Sequence, residues 1–210
     1  LQLFMEHRLV RKCGITSAAH LNRVGAVVGK IGMDRPSEHL YATVGVMHDA
    51  LEDLLDEVPN SQGRVYTVND YQAFLDRFAA PELHPHIKLI TNFYDLLLSE
   101  IHTRLRNEDR AFTKHNLLRM LEDMYRHERV EIHPYLEKIH YALEDAPLDG
   151  DAYTQAKWRC YSELYIREMA IYTHSHGDYR TFEIKAIDLS DNGHGRDALG
   201  LESRVKNLRE

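Results

Sequence analysis

Residues 47–57 read MHDALEDLLDE, and they continue a pattern of apolar residues that starts at Leu40. Apolar side chains recur there at steps of three and four, which is the spacing of one face of an α-helix. The positions are Leu40, Tyr41, Val44, Met47, Leu51, Leu54 and Leu55. Pro36 and Ser37 come just before and are typical of a helix start, with Ser37 as the N-cap. The stretch therefore predicts a helix with one buried face.

The same helical spacing extends along most of the chain, and alternating strand patterns are scarce. Helices are predicted over 16–31, 67–78, 86–106 and 152–173, with further helical segments within 107–145. Proline-, glycine- and asparagine-containing breaks separate them near 59–63, 81–85 and 146–150. Residues 174–180 are predicted to form a polar loop and 184–189 a short apolar segment. The pattern predicts an all-α fold.

The composition is ordinary for a globular protein, with 43% hydrophobic and 28% charged residues among 210. This length favours one large domain over two. The net charge of −7 argues against a nucleic-acid surface, so we expect no nucleic-acid partner. No apolar run approaches the ~18 residues of a membrane span. Two cysteines, Cys13 and Cys160, favour a reduced, cytoplasmic protein, with a lone disulfide as the alternative.

His48 and Asp49 are neighbours in the opening stretch, and Glu52 and Asp53 follow one helical turn later. Adjacent helical side chains point about 100° apart. His48 and Asp49 can therefore bind the same ligand only if another element brings that ligand between them. A divalent cation is such a ligand, because imidazole and carboxylate together suit Mn, Fe, Zn or Co. The alternative is a solvated acidic helix face, and these residues alone leave both interpretations open.

Two distant segments carry a resemblance to a known family. His20 ends the segment RKCGITSAAH (11–20), and Asp188 and Asn192 lie in IKAIDLSDN (184–192). Together with HDALED (48–53), they resemble, in order, the RKxG, HDxxED and VKLADRLHN segments of HD-domain metal-dependent phosphohydrolases, in particular the RelA/SpoT-type hydrolase domain. The resemblance spans nearly the whole chain and implies a single HD-type helical-bundle domain over residues 1–210. No synthetase domain follows within these residues, so the likeness is to stand-alone, small alarmone hydrolases.

The resemblance implies a role for each matched residue. One divalent metal, with Mn²⁺ favoured over Fe, Co, Zn, Ni or Mg, would be bound by His20, His48, Asp49 and Asp188. Glu52 and Asp53 would orient or deprotonate the attacking water, and Arg11, Lys12 and Asn192 would contact the nucleotide. The implied activity removes the 3′-pyrophosphate from guanosine tetra- or pentaphosphate. The alternatives are an HD-type nucleotidase or phosphodiesterase acting on another nucleotide, and a non-catalytic nucleotide- or protein-binding module. The expected partner is a small nucleotide, with no membrane and with homo-oligomerisation left open.

This sequence departs from the family pattern in several respects, one of which is ITSAA (15–19) in place of the family's tyrosine-rich stretch before the first histidine. From Asp49 to Asp188 is 139 residues, roughly twice the separation in compact members, which predicts a helical insertion within about 58–180. In the last segment the family's Arg is Leu189 and its His is Asp191, which makes Asp191 a rival metal ligand. His174, His176 and Asp178 form another candidate metal cluster, although a polar loop explains them equally well.

Overall fold

The structure, a computed structural model, describes residues 2–9, 16–31 and 38–194. Within these ranges the regular elements are helices, and an isolated antiparallel bridge pairs Pro59 with Val65. The all-α prediction is confirmed. The α-helices are α1 (Gln2–Glu6), α2 (Ser17–Ile31), α3 (Glu38–Met47), α4 (Ala50–Leu54), α5 (Tyr71–Phe78), α6 (His84–Ile90), α7 (Phe93–Asn107), α8 (Lys114–His127), α9 (His133–Glu144), α10 (Ala152–Cys160), α11 (Ile166–His176) and α12 (Arg180–His194).

Short 3-10 turns lead into three of these helices, and one π-helical turn joins two others. The 3-10 turns are Val68–Asp70, Pro81–Leu83 and Val130–Ile132. The π-helical turn, Tyr161–Tyr165, connects α10 to α11 without ending the helical path. Among the described residues, no helix is both long and apolar enough to cross a membrane.

The chain divides into two compact units. Unit 1 contains the described residues of Leu1–Tyr66, Ala79–Thr91 and Thr173–Glu210, and unit 2 consists of Thr67–Phe78 and Asn92–Tyr172. Both segments of unit 2 fall within the range 58–180, where the sequence predicts an insertion. A single HD-type domain with that insertion stays a prediction.

Unit 2 is built around the apolar faces of α7, α8 and α9. The ring of Phe93 stacks on Tyr135 with centroids 4.8 Å apart. Arg104 crosses between helices and pairs with Glu100 at 2.6 Å and Glu128 at 2.7 Å. The buried apolar side chains of these helices are Phe93, Tyr94, Leu97, Leu98, Ile101, Leu105, Leu117, Met120, Leu121, Met124, Leu136, Ile139, Ala142 and Leu143.

Capping residues explain several of the helix boundaries. Thr67 forms a capping box with Asp70, and the Asp151 carboxylate accepts from Thr154 N at 3.1 Å, as an N-cap does. The predicted helix over 86–106 is wrong because the chain breaks between α6 and α7. There Asn92 caps α7 by accepting from Asp95 N at 3.2 Å. Ser37, the predicted cap of α3, lies outside the described residues.

In unit 1, helix α2 packs closely against α3, and glycine makes this approach possible. A Cβ at Gly25 would overlap Val46 Cγ2 and would lie 3.0 Å from the carbonyl oxygen of Ala42. A Cβ at Gly45 would lie 3.3 Å from the Cα of Gly25. At Gly29, one turn further along α2, a Cβ would meet Ala42 Cβ at an ordinary 3.4 Å. The two backbones therefore touch at Gly25 and Gly45.

Helices α6 and α12 also pack in this unit, α12 against both α2 and α3.

We expect Gly25→Ala to lower the free energy of unfolding by about 1–2 kcal/mol, because the cost of overpacking exceeds the ~1 kcal/mol that alanine gains in helix propensity. Gly29→Ala is the matched control on the same helix and should be neutral or stabilising. Urea unfolding, together with hydrogen exchange of the α2 and α3 amides, measures both variants. Equal stability of the two would contradict a backbone contact at Gly25.

Candidate metal centre

Four potential metal ligands from three separate parts of the chain meet inside unit 1. His20 comes from α2, His48 and Asp49 from the turn between α3 and α4, and Asp188 from α12. One ligand atom of each residue lies within 4.8 Å of those of the others, and no other group of three or more such residues forms in the described part of the chain. Both histidines are 1% exposed and Asp188 is 2% exposed. This buried group could hold a metal ion.

The helix predicted through 47–57 is interrupted where the ligands lie. Helix α3 ends at Met47, His48 and Asp49 form a turn, and α4 begins at Ala50. Asp49 has φ −96° and ψ 6°, outside helical values. This turn lets neighbouring side chains converge, and His48 Nε2 lies 3.1 Å from Asp49 Oδ1. The prediction of an uninterrupted helix was wrong, because neither glycine nor proline marks the break.

A hydrogen bond at Nδ1 orients each of the two imidazoles. His48 Nδ1 lies 2.7 Å from the carbonyl oxygen of Gly45, and His20 Nδ1 lies 2.7 Å from Asp191 Oδ2. A carbonyl or carboxylate oxygen only accepts, so Nδ1 carries the proton in each ring. Both Nε2 atoms consequently face the centre of the cluster, 3.2 Å from each other. A neutral imidazole held this way presents a lone pair at Nε2.

The separations between the donor atoms are compatible with one shared metal ion. His20 Nε2 lies 3.2 Å from Asp188 Oδ1 and 3.5 Å from Asp49 Oδ2, and His48 Nε2 lies 3.3 Å from Asp188 Oδ1. An ion bound about 2.0–2.2 Å from each ligand holds neighbouring donors about 3.0–3.5 Å apart.

The electrostatics follow from burying opposite charges together. Burial alone lowers the pKa of His48, but attraction to Asp49 and hydrogen bonding to Asp188 outweigh it and raise this pKa to about 10. Burial alone raises the pKa of Asp49, but the charge of His48 and a hydrogen bond to His20 bring it below its usual range. The pKa of Asp188 is also well below its usual value, because hydrogen bonds to His20 and His48 outweigh burial. Both carboxylates are therefore ionised at neutral pH.

Asp188 is held by two further side chains of α12. Asn192 Nδ2 donates to Oδ1 at 2.8 Å, and Lys185 Nζ donates to Oδ2 at 2.9 Å. Asn192 thus contacts a ligand carboxylate, while its predicted contact with a nucleotide stays a prediction. Lys185 was not predicted, although its position three residues before Asp188 places it on the same helix face.

Asp191, the rival ligand, lies behind His20. Its carboxylate accepts from His20 and from Arg23, with Arg23 Nε 2.7 Å from Oδ1 and Nη2 2.8 Å from Oδ2. Hydrogen bonding to Arg23, opposed by burial and helped by His20, lowers the pKa of Asp191 below its usual value. Asp191 is absent from the ligand group. The sequence shows that Arg23 follows His20 by three residues on α2. It does not show that Arg23 pairs with Asp191 on α12.

The residues predicted to act on water and on the nucleotide lie outside the ligand group. Glu52 is exposed and Asp53 half-buried in α4, directly after the ligand turn, and the amide of Asp53 donates to Asp49 O at 2.8 Å. Neither belongs to the ligand group. Arg11 and Lys12 lie outside the described residues, so their predicted contact with a nucleotide stays a prediction.

The second candidate metal cluster does not assemble in the described part of the chain. His174 and His176 are exposed. Asp178 instead accepts a hydrogen bond from Tyr41 Oη at 2.7 Å and pairs with Arg180 at 3.0 Å. Arg180 also lies over the Tyr41 ring, 3.9 Å from its centroid. These contacts join the start of α12 to α3, within unit 1.

We expect the wild-type protein to bind one Mn²⁺ per chain, and His48→Ala and Asp188→Ala to lose it, because each variant removes a ligand. A metal at 100 times its dissociation constant should stabilise the wild-type protein by about 2.7 kcal/mol and these variants by much less. Elemental analysis after gel filtration and thermal unfolding with and without Mn²⁺ measure both effects.

His176→Ala is the matched control, since it removes an exposed histidine near α12 and should leave metal content unchanged. Loss of Mn²⁺ in this variant, or full retention in both ligand variants, would contradict the assignment.

Comparisons with known proteins found no match: no family model, no curated protein and no solved structure matches the chain.

Proposed function

We propose that this chain is a metal-dependent phosphohydrolase of the HD type, which removes the 3′-pyrophosphate from guanosine tetra- or pentaphosphate. The single observation that carries the proposal is the convergence of His20, His48, Asp49 and Asp188 on one buried point. These are the residues that the resemblance to HD-domain hydrolases assigns as ligands. They lie in three segments far apart in sequence, so their meeting is not a by-product of local helix geometry.

The donor set favours a particular class of metal. Two imidazole nitrogens and two carboxylate oxygens suit Mn, Fe, Co or Zn, whereas Mg and Ca prefer oxygen alone. We propose Mn²⁺ as the first choice. Two ionised carboxylates, Asp49 and Asp188, balance the charge of a divalent ion, so burial of both becomes less costly when the ion is bound.

The chemistry requires a nucleophilic water and a stabilised phosphate oxygen. A divalent ion held by His20, His48, Asp49 and Asp188 would supply both, because such an ion makes water more acidic and offsets charge on phosphate. Glu52 and Asp53 lie in the first turn after the ligands, and a carboxylate there accepts the proton that the water releases. Lys185 pairs with Asp188 and Arg23 with Asp191, which reduces the repulsion that an anionic substrate would meet.

A panel of nucleotides assayed with Mn²⁺ tests the substrate. We expect guanosine tetraphosphate to release pyrophosphate, because the resemblance combines HDxxED with an RKxG segment. Pyrophosphate and inorganic phosphate are quantified separately for each nucleotide. Release of phosphate alone, from nucleoside monophosphates, would replace the alarmone proposal by a generic HD-type nucleotidase. Bound metal with no turnover of any nucleotide would indicate a non-catalytic binding module.

We expect Glu52→Gln to retain Mn²⁺ but to reduce kcat by about 10²–10⁴-fold, because it removes a proton acceptor without removing a ligand. Glu57→Gln is the matched control: it neutralises an exposed acid of the same segment and should keep wild-type kcat. Single-turnover rates and metal content are measured on the same samples. Normal turnover in Glu52→Gln would remove Glu52 from the mechanism and leave Asp53 to be tested by the same pair of measurements.

A further inference from the structure

The hydrogen bond between His20 and Asp191 differs from its counterpart at His48. The Nδ1–H of His48 donates to the backbone carbonyl of Gly45 in α3, which no side-chain substitution removes. The Nδ1–H of His20 donates to a carboxylate on another helix, at 2.7 Å. The orientation of His20 therefore depends on a side chain that lies 171 residues away in sequence.

The Asp191 carboxylate is itself fixed by Arg23. The guanidinium makes a two-point contact, with Nε 2.7 Å from Oδ1 and Nη2 2.8 Å from Oδ2. Such a fork restricts the carboxylate to one plane and leaves Oδ2 aimed at the imidazole. Arg23 is 43% exposed, whereas His20 is 1% exposed, so the chain of contacts runs from solvent to the buried ligand.

We propose that Asp191, held by Arg23, is a positioning residue that keeps the His20 proton on Nδ1 and so leaves Nε2 free to bind a metal. The proposal rests on the metal centre of the proposed function and deepens it. Carboxylate–histidine–metal arrangements fix the tautomer and increase the donor strength of the ligating nitrogen. Asp191 acts through His20 and not as a metal ligand, because both of its oxygens already accept hydrogen bonds.

Removal of Asp191 has a specific consequence in a buried site. Without an acceptor, a proton on Nδ1 would be buried and unsatisfied, which is costly. The proton would then favour Nε2, where Asp188 Oδ1 lies 3.2 Å away and can accept it. That tautomer keeps the fold but occupies the atom that a metal needs. A salt bridge that only stabilised the α2–α12 contact would not have this effect.

The test measures Mn²⁺ affinity by competition with a chelator, with no assay of activity. We expect Asp191→Ala to bind Mn²⁺ about 10–100-fold more weakly than the wild-type protein. Asp191→Asn keeps an acceptor oxygen without the charge and should lose less affinity, which is the rescue by a conservative variant. Asp178→Ala is the matched control, since it removes another arginine-paired carboxylate of unit 1 that makes no contact with His20.

Nitrogen-15 NMR of the Zn²⁺-loaded protein gives a second readout. The wild-type His20 should carry its proton on Nδ1 and its metal on Nε2, and Asp191→Ala should show the other tautomer or a mixture. Circular dichroism checks that each variant is folded. If Asp191→Ala does not fold, Asp191→Asn and Arg23→Ala must each weaken Mn²⁺ binding for the proposal to stand.

Wild-type affinity in Asp191→Ala, or an equal loss in Asp178→Ala, would overturn the positioning role. Absence of Mn²⁺ binding in the wild-type protein would overturn the metal centre together with it. Metal binding that depends on Asp191, without hydrolysis of any nucleotide, would overturn the proposed function alone.

Discussion

The backbone contact between α2 and α3 is the constraint on which the candidate site depends. Gly25 and Gly45 let the two helices approach until a Cβ at Gly45 would lie 3.3 Å from the Gly25 Cα. His20 precedes one glycine by five residues and His48 follows the other by three, so both histidines lie within two helical turns of the contact. Their ring centroids are 5.1 Å apart as a result. A larger residue at the crossing would move the two histidines apart, so that one ion could no longer reach both Nε2 atoms. The packing of α2 on α3 therefore also sets the geometry of the candidate ligands.

Burial of ionised groups is the second constraint. Asp188 is 2% exposed, and an unpaired carboxylate at that depth would be strongly destabilising. The chain offsets this cost with two imidazoles facing the carboxylate, the Lys185 ammonium and the Asn192 amide. Well-packed apolar residues of similar volume, in place of these charged groups, would often give a fold of equal stability. The buried charges therefore require an explanation beyond stability, and cation binding provides one.

The sequence predicts much of this arrangement, and its failures have a common cause. The four residues that the resemblance names as metal ligands meet in the structure, and Thr67 and Asp151 cap helices as local rules predict. The helix breaks at His48–Asp49 and before Asn92 were missed, because no proline or glycine marks either one. The break at His48–Asp49 coincides with contacts made to His20 and Asp188, which are far away in sequence. Asp191 and Arg23 were missed as a pair for the same reason: each looks like an ordinary charged helix residue until α2 and α12 are placed together.

The order of the ligands along the chain connects metal binding to folding. His20, His48 and Asp49 lie near the beginning, whereas Asp188 lies 168 residues after His20, and the intervening residues include both segments of unit 2. Bringing such distant residues together costs loop-closure entropy, although this cost rises only slowly with length. An ion that binds all four ligands favours the state in which α12 is packed on α2, because that state alone contains the complete site. The contact of Arg23 with Asp191 joins α12 to α2 beside His20, so it favours the same packing that a bound ion would favour.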